Sequence, residues 1–180
     1  MVKLLEGFRN SFVWKALVRF QETLLVLTSI FVVLIMCTEV VLRYIFHTDF
    51  FGIEEVVVVA AFWLYFIGSA YGVYEKSHVK ADIILQLLSK PAQARLAVVI
   101  SFTMSSLSIV FSWWAVGMVS YAIEWMPRTT GLRIPIFISQ GSILVGYLLM
   151  SLYSVVHFLE DLLGFFFPAR GNNECKGIAK

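Results

Sequence analysis

Histidine and cysteine, the residue types that most often bind metals or act in catalysis, are few and widely separated in this sequence. The three histidines are His47, His78 and His157. A four-helix haem protein would need two histidines facing each other at the same depth. HExxH, CxxC and phosphate-loop motifs do not occur, and the glycines are not gathered into a nucleotide-binding loop. We therefore expect this chain neither to catalyse a reaction nor to bind a cofactor.

Glu39 is the one charged residue inside a long apolar stretch, which makes it the first candidate for proton or ion coupling. Charges deep in a membrane are costly and are therefore usually functional. Glu39, however, lies near the end of its stretch and four residues before Arg43. A glutamate four residues before a cation forms a favourable pair on a helix. This spacing favours a paired carboxylate at a membrane interface over a proton-coupling group.

The composition indicates that most of the chain is solvated by lipid. Of the 180 residues 59% are hydrophobic and only 14% are charged, and the mean hydropathy is +0.83. Soluble domains usually carry about 25% charged residues. The net charge of +2 gives no reason to expect nucleic acid as a partner.

Four apolar stretches are long enough to cross a bilayer. A helix needs about 20 residues to span 30 Å of hydrocarbon, and in lipid the backbone must bond internally, so the stretches are predicted to be helices. We therefore expect an all-α integral membrane protein with one four-helix domain over residues 1–165 and a flexible tail over 166–180. The predicted spans are residues 23–42, 56–74, 96–123 and 134–159.

Lysine and arginine are distributed unevenly between the two sides of these spans. Eleven of the 14 precede the first span, follow the last, or lie in the second connection. The positive-inside rule then predicts cytoplasmic termini. It also places His47 and His157 on opposite sides of the membrane, which argues against a haem pair.

Two segments that flank the spans are amphipathic. Residues 3–20 place Leu5, Phe8 and Phe12 on one helical face, and Ile83, Ile84, Leu87 and Leu88 form a similar stripe in the second connection. Either segment could lie in the cytoplasmic interface as a short helix. Alternatively, each simply extends the neighbouring span.

Small residues recur at helical spacing within three of the spans. They let helices approach closely in lipid and so predict packing, either within this chain or with another. The candidates are Gly68 and Gly72 in span two, Ser101, Ser105, Ser108 and Ser112 in span three, and Ser139, Ser142 and Gly146 in span four.

An ordered series of short motifs resembles the small membrane (Q-type) subunit of tripartite ATP-independent periplasmic (TRAP) transporters over roughly residues 15–160. The series contains the following residues: Arg43–Tyr44–Ile45–Phe46, Glu54–Glu55, Trp63, Gly68, His78–Val79–Lys80–Ala81–Asp82, Pro91, Arg95 and Leu132–Arg133–Ile134–Pro135.

The resemblance implies a division of labour in uptake across the bacterial inner membrane. A large multi-span subunit would hold the substrate and sodium sites, and a periplasmic binding protein would deliver a carboxylate-bearing solute of the dicarboxylate or sialic acid type. The small subunit would brace the scaffold of the large one, with membrane lipids as its other neighbours. It would have no turnover and no cofactor of its own.

Three groups of charged residues are candidates for contacts in such a complex. Glu39, Arg43, Glu54 and Glu55 could form an ion network on the periplasmic side, or could be ordinary solvated charges. His78 and Asp82 could fasten the second connection on the cytoplasmic side, or lie in a solvated turn. Arg128 and Arg133 could meet an acidic surface of the binding protein.

One alternative of another class stays open at the level of sequence. The chain could be an independent four-helix membrane protein, such as a homo-oligomeric small exporter or an accessory subunit of a respiratory complex. An exporter would transport when expressed alone, and a respiratory subunit would co-purify with haem or quinone.

Overall fold

The computed structural model describes residues 12–48, 51–75 and 90–166. They form four α-helices, which we call α1 (Phe12–Tyr44), α2 (Ile53–Tyr74), α3 (Lys90–Trp125) and α4 (Phe137–Phe166). Each is long and apolar enough to cross a membrane. The prediction of an all-α protein with four spans is therefore confirmed.

Helix boundaries differ from the predicted spans in ways that have local causes. Residues 12–20 belong to α1 itself, so over these residues the amphipathic segment extends the first span. α3 already contains residues 90–95, which precede the predicted third span. α4 begins only at Phe137, because Ile134 and Ile136 form loop hydrogen bonds instead.

Some predicted features lie outside the described residues. They are residues 3–11 of the N-terminal segment, the stripe from Ile83 to Leu88, the pair His78 and Asp82, and the tail from residue 167 onwards.

The four helices form a row in the order α1–α2–α4–α3. α2 packs against α1 and α4, and α4 packs against α2 and α3. α4 is the most covered of the four spans, whereas no residue in the most apolar stretch of α1 is buried. α1 and α3 form the two edges of this row and present broad exposed apolar faces, and α1 also touches α4 where it begins.

The closest approach between helices is that of α2 and α4. A Cβ atom built on Gly146 would lie 2.7 Å from Cβ and 2.9 Å from the carbonyl oxygen of Phe66. Gly68 faces α1, since its Cβ would lie 3.5 Å from Cδ2 of Leu25. At these two glycines, the predicted close packing is therefore against helices of this same chain.

The serine stripes of α3 and α4 are largely covered. Ser105, Ser112 and Ser142 are buried, and Ser108 donates a hydrogen bond to the carbonyl of Met104 within its own helix. Ser101 donates to the carboxylate of Asp161, which ties the beginning of α3 to the end of α4. Gly72 is partly buried on α2, and Ser139 is partly buried on α4.

An aromatic cluster holds the beginning of α1 against α2 and α4. The indole of Trp14 lies edge-on to the ring of Tyr153, with ring centroids 5.2 Å apart, and both contact Tyr74. The hydroxyl of Tyr153 donates a 2.7 Å hydrogen bond to Oε1 of Gln21, which is itself buried. This bond and the aromatic contacts hold the beginning of α1, whose remaining length has little cover.

Replacing Tyr153 by phenylalanine removes that bond and nothing else. Hydrogen bonds between membrane helices contribute about 1 kcal/mol, so we expect the Tyr153→Phe variant to lose about that much unfolding free energy in detergent. Tyr147→Phe is the matched control, because its ring contacts Phe66 and Phe111 while its hydroxyl has no hydrogen bond among the described residues. Equal stability of the two variants would contradict the assigned role of the Gln21–Tyr153 bond.

Candidate functional site

The predicted charged residues that the structure describes gather at one end of the helix row, where α1 and α3 end and α2 and α4 begin. We call it the loop end, since it carries the loop of residues 126–136 between α3 and α4 (the α3–α4 loop). The loop is a short hairpin. The amide of Thr129 donates to the carbonyl of Ile134 over 3.0 Å, and that of Ile136 donates to the carbonyl of Pro127 over 2.9 Å. Arg128 and Pro135 form a single antiparallel bridge between these bonds.

Glu55, in the first turn of α2, holds this loop through three hydrogen bonds. Its Oε2 accepts from the hydroxyl of Thr129 over 2.6 Å and from the amide of Leu132 over 2.8 Å, and its Oε1 accepts from the amide of Gly131 over 2.7 Å. The oxygen of Thr129 in turn accepts from the amide of Ile134 over 2.9 Å. One carboxylate thus satisfies three donors at the tip of the hairpin, between residues 129 and 132.

Two glycines make room for this arrangement. Gly52 caps α2 with a φ of 89°, and an added Cβ would lie 2.5 Å from Cγ of Leu132. A Cβ on Gly131 would lie 2.9 Å from Oε1 of Glu55. Positive φ is open mainly to glycine, so Gly52 lets the chain enter α2 directly beneath the loop.

A cavity of about 320 Å³ lies beside the loop. Its lining contains all four residues of the predicted ion network, together with other residues of the loop end: Glu39, Arg43, Thr48, Phe51, Gly52, Glu54, Glu55, Thr130 and Gly131. Within the described part of the chain, Arg43 forms no direct ion pair with Glu39, Glu54 or Glu55 at the 4.0 Å limit. The four side chains share one cavity, but the strong contacts of Glu55 are with the loop.

Arg128 and Arg133 are both exposed on this loop. Neither guanidinium group has a hydrogen-bond or ion-pair partner among the residues that the structure describes. Arg133 has a φ of 55°, the left-handed conformation that is costly for a side chain of this size. The structure therefore places two cations on one hydrogen-bonded loop, without a partner in the described part of the chain.

The histidines are not brought together. His47 follows the end of α1 at the loop end, whereas His157 lies near the opposite end of α4. There Nε2 of His157 is 3.3 Å from the carbonyl oxygen of Tyr74, and Nδ1 is 3.5 Å from Glu160. Across the described ranges, no group of three or more metal-ligating side chains converges.

Sequence reasoning missed Thr129 and Gly131, although both lie between the two arginines that it singled out. The Thr129–Thr130–Gly131 run is a recognisable turn signal. No sequence signal linked this turn to Glu55, because two of the three groups that donate hydrogen bonds to the Glu55 carboxylate are backbone amides.

Comparison with known proteins gives one family. The family model described as "Tripartite ATP-independent periplasmic transporters, DctQ component" matches residues 32–164, which is well over half of the chain. The matched region runs from within α1 to near the end of α4 and contains the whole loop end. No curated protein sequence matches the chain at a significant level.

Proposed function

Because the chain belongs to the DctQ family, the small membrane component of TRAP transporters, we propose that it braces the stationary scaffold of a large multi-span transport subunit. The chain is a multi-pass membrane protein of a transport system, and it is not an enzyme. Family membership is the observation that carries the proposal.

The helix row supports a bracing role. Four spans packed side by side cover more of a neighbouring protein than a closed bundle would, and both edge helices are widely exposed. Trp113 and Trp114 on α3 are 79% and 66% exposed in the isolated chain. The close contact of Gly146 with Phe66 and the hydrogen bond of Ser101 with Asp161 tie α4 to both of its neighbours. A transport domain that moves needs a stationary reference, and such a row supplies one.

The transported solute and the coupling ion belong to the partners in this proposal. Sodium and substrate sites lie in the large subunit, and a periplasmic binding protein delivers a carboxylate-bearing solute of the dicarboxylate or sialic acid type. The solute class rests on the family resemblance.

The orientation proposed for this complex places both termini in the cytoplasm and the loop end in the periplasm of a bacterial inner membrane. The excess of lysine and arginine on the side of the termini supports it. The loop end then faces the binding protein. Arg128 and Arg133 are exposed there on a hydrogen-bonded loop and suit an acidic docking surface.

Affinity purification from the native membrane in mild detergent, followed by mass spectrometry, tests the proposal. We expect a much larger multi-span protein in stoichiometric amount, encoded beside a secreted binding protein. The same tag on an unrelated four-helix membrane protein controls for non-specific association. A chain that purifies only with itself would contradict the bracing role and favour an independent exporter, and visible absorbance from haem would favour a respiratory subunit.

A further inference from the structure

We infer that Glu55 is a positioning residue that holds the α3–α4 loop in the shape in which Arg128 and Arg133 contact an acidic surface of the binding protein. The inference rests on the proposed docking function. It adds a specific residue, on a different helix, whose role is to preform the contact surface.

The hydrogen bonds of Glu55 hold the loop on both sides of Arg133 and on one side of Arg128. Thr129, which follows Arg128, donates its hydroxyl to Glu55 and accepts from the amide of Ile134, which follows Arg133. Leu132, which precedes Arg133, donates its amide to the same carboxylate. Charge-assisted hydrogen bonds of this kind are about twice as strong as neutral ones. The backbone on both sides of Arg133 is therefore held from α2, and so is the residue that follows Arg128.

The backbone of Arg133 is held in a left-handed conformation, as is that of Met126 at the start of the same loop. A left-handed φ on a non-glycine residue costs about 1 kcal/mol or more and persists only where the surroundings over-determine it. Glycine or asparagine would adopt φ 55° more cheaply than arginine. An exposed arginine at a strained position, with no partner among the described residues, fits a surface that is prepared for another molecule.

Comparison with Glu54 distinguishes the positioning role of Glu55 from a role in helix stability or in local charge. Both glutamates lie in the first turn of α2, where the helix dipole stabilises negative charge. Both also line the cavity at the loop end. Glu54 is exposed and has no hydrogen bond to the loop. A role in helix stability or in local charge is therefore shared by the pair, and only Glu55 holds the loop.

Electrostatics alone predicts that loss of either glutamate charge does not weaken binding to the acidic partner, whereas a positioning role predicts weaker binding when Glu55 is replaced. Removing a negative charge near two arginines should strengthen attraction to an acidic partner, so Glu54→Gln should leave the affinity unchanged or slightly increased. Glu55→Gln retains the shape of the side chain and one acceptor oxygen, but the amide nitrogen that replaces the other oxygen is a donor and cannot accept from the loop, so at least one of the three hydrogen bonds is lost. If Glu55 positions the loop, this variant binds more weakly despite the favourable change in charge.

The experiment compares wild type, Glu55→Gln and Glu54→Gln in the intact complex with the large subunit, reconstituted in lipid nanodiscs. Hydrogen exchange of the peptide that contains residues 129–134 reports the loop directly. Titration with the solute-loaded binding protein gives the dissociation constant. We expect Glu55→Gln to accelerate exchange in the loop roughly tenfold and to raise the dissociation constant by a similar factor. Glu54→Gln should change neither by more than about twofold, and the large subunit should be retained in both variants.

Each of the other outcomes shows whether the positioning role of Glu55 or the docking function of the loop is wrong. Unchanged loop exchange in Glu55→Gln would overturn the positioning role. Faster exchange with unchanged affinity would also overturn it, provided that the Arg128→Ala, Arg133→Ala variant binds weakly. If that double variant binds as wild type does, the docking function itself is wrong.

Discussion

The Gly146→Ala variant is expected to be markedly less stable than the wild type, with the midpoint of thermal unfolding in detergent lowered. The added Cβ would lie 2.7 Å from Cβ, 2.9 Å from the carbonyl oxygen and 3.1 Å from the carbonyl carbon of Phe66. Two of these atoms are backbone, so no change of rotamer relieves the contact, and α4 must move away from α2. Overpacking of this kind costs about 1–3 kcal/mol, against a gain of up to about 1 kcal/mol from helix propensity.

Gly141→Ala is the control for this variant. Gly141 lies on the same helix, and its Cβ would meet no atom within 4 Å. The alanine should therefore be neutral, or stabilising by up to about 1 kcal/mol through propensity alone. Because α2 and α4 are the two inner helices of the row, Gly146→Ala should also reduce the yield of complex with the large subunit. Equal unfolding midpoints for the two variants would show that α2 and α4 do not approach this closely.

The Arg128→Ala, Arg133→Ala double variant is expected to assemble normally but to lose uptake at low concentrations of the loaded binding protein. Both guanidinium groups are exposed and have no partner among the described residues, so their loss removes no contact that stabilises this part of the fold. Charges at the rim of an interface act mainly on the association rate and on its salt dependence. We expect roughly a tenfold increase in the binding-protein concentration that gives half-maximal uptake, with little change at saturation.

Uptake into proteoliposomes, measured against binding-protein concentration at two ionic strengths, checks this. Raising the salt concentration should weaken coupling in the wild type and have less effect on the double variant, because the charges that salt screens have been removed. Arg95→Ala is the control, since it removes an exposed cation from the opposite end of the row. Wild-type uptake by the double variant at all concentrations would eliminate the docking role of the loop.

The family and the spans could be predicted from the sequence because their causes are local. A run of about 20 apolar residues can satisfy its backbone in lipid only as a helix, whatever surrounds it. The order of short motifs then resembled one family, and the match over residues 32–164 confirms that resemblance. Errors in the predicted helix boundaries also had local causes. The apolar pattern assigned Ile134 to span four, but its carbonyl accepts a hydrogen bond from Thr129, which keeps it in the loop.

The candidate site was only partly predictable. The sequence drew attention to Glu54, Glu55, Arg128 and Arg133, and all four lie at one end of the fold. It suggested an ion network for the glutamates, and that network stays a prediction: Glu39, Arg43 and Glu54 line the cavity, and the described residues form no direct ion pair among these three. The predicted roles of His78 and Asp82 stay predictions as well.

What the sequence by itself determined is therefore the four-helix plan, the family and the residues that carry charge at the membrane boundary. Only the tertiary structure decided the helix order α1–α2–α4–α3 and the partner of Glu55. Adjacent residues on a helix point about 100° apart, so the rotation of α2 alone turns Glu55 to the loop and leaves Glu54 exposed. Its partners lie 74 to 77 positions away in sequence, and two are backbone amides, which every residue except proline carries. No pattern of residue types could have marked them.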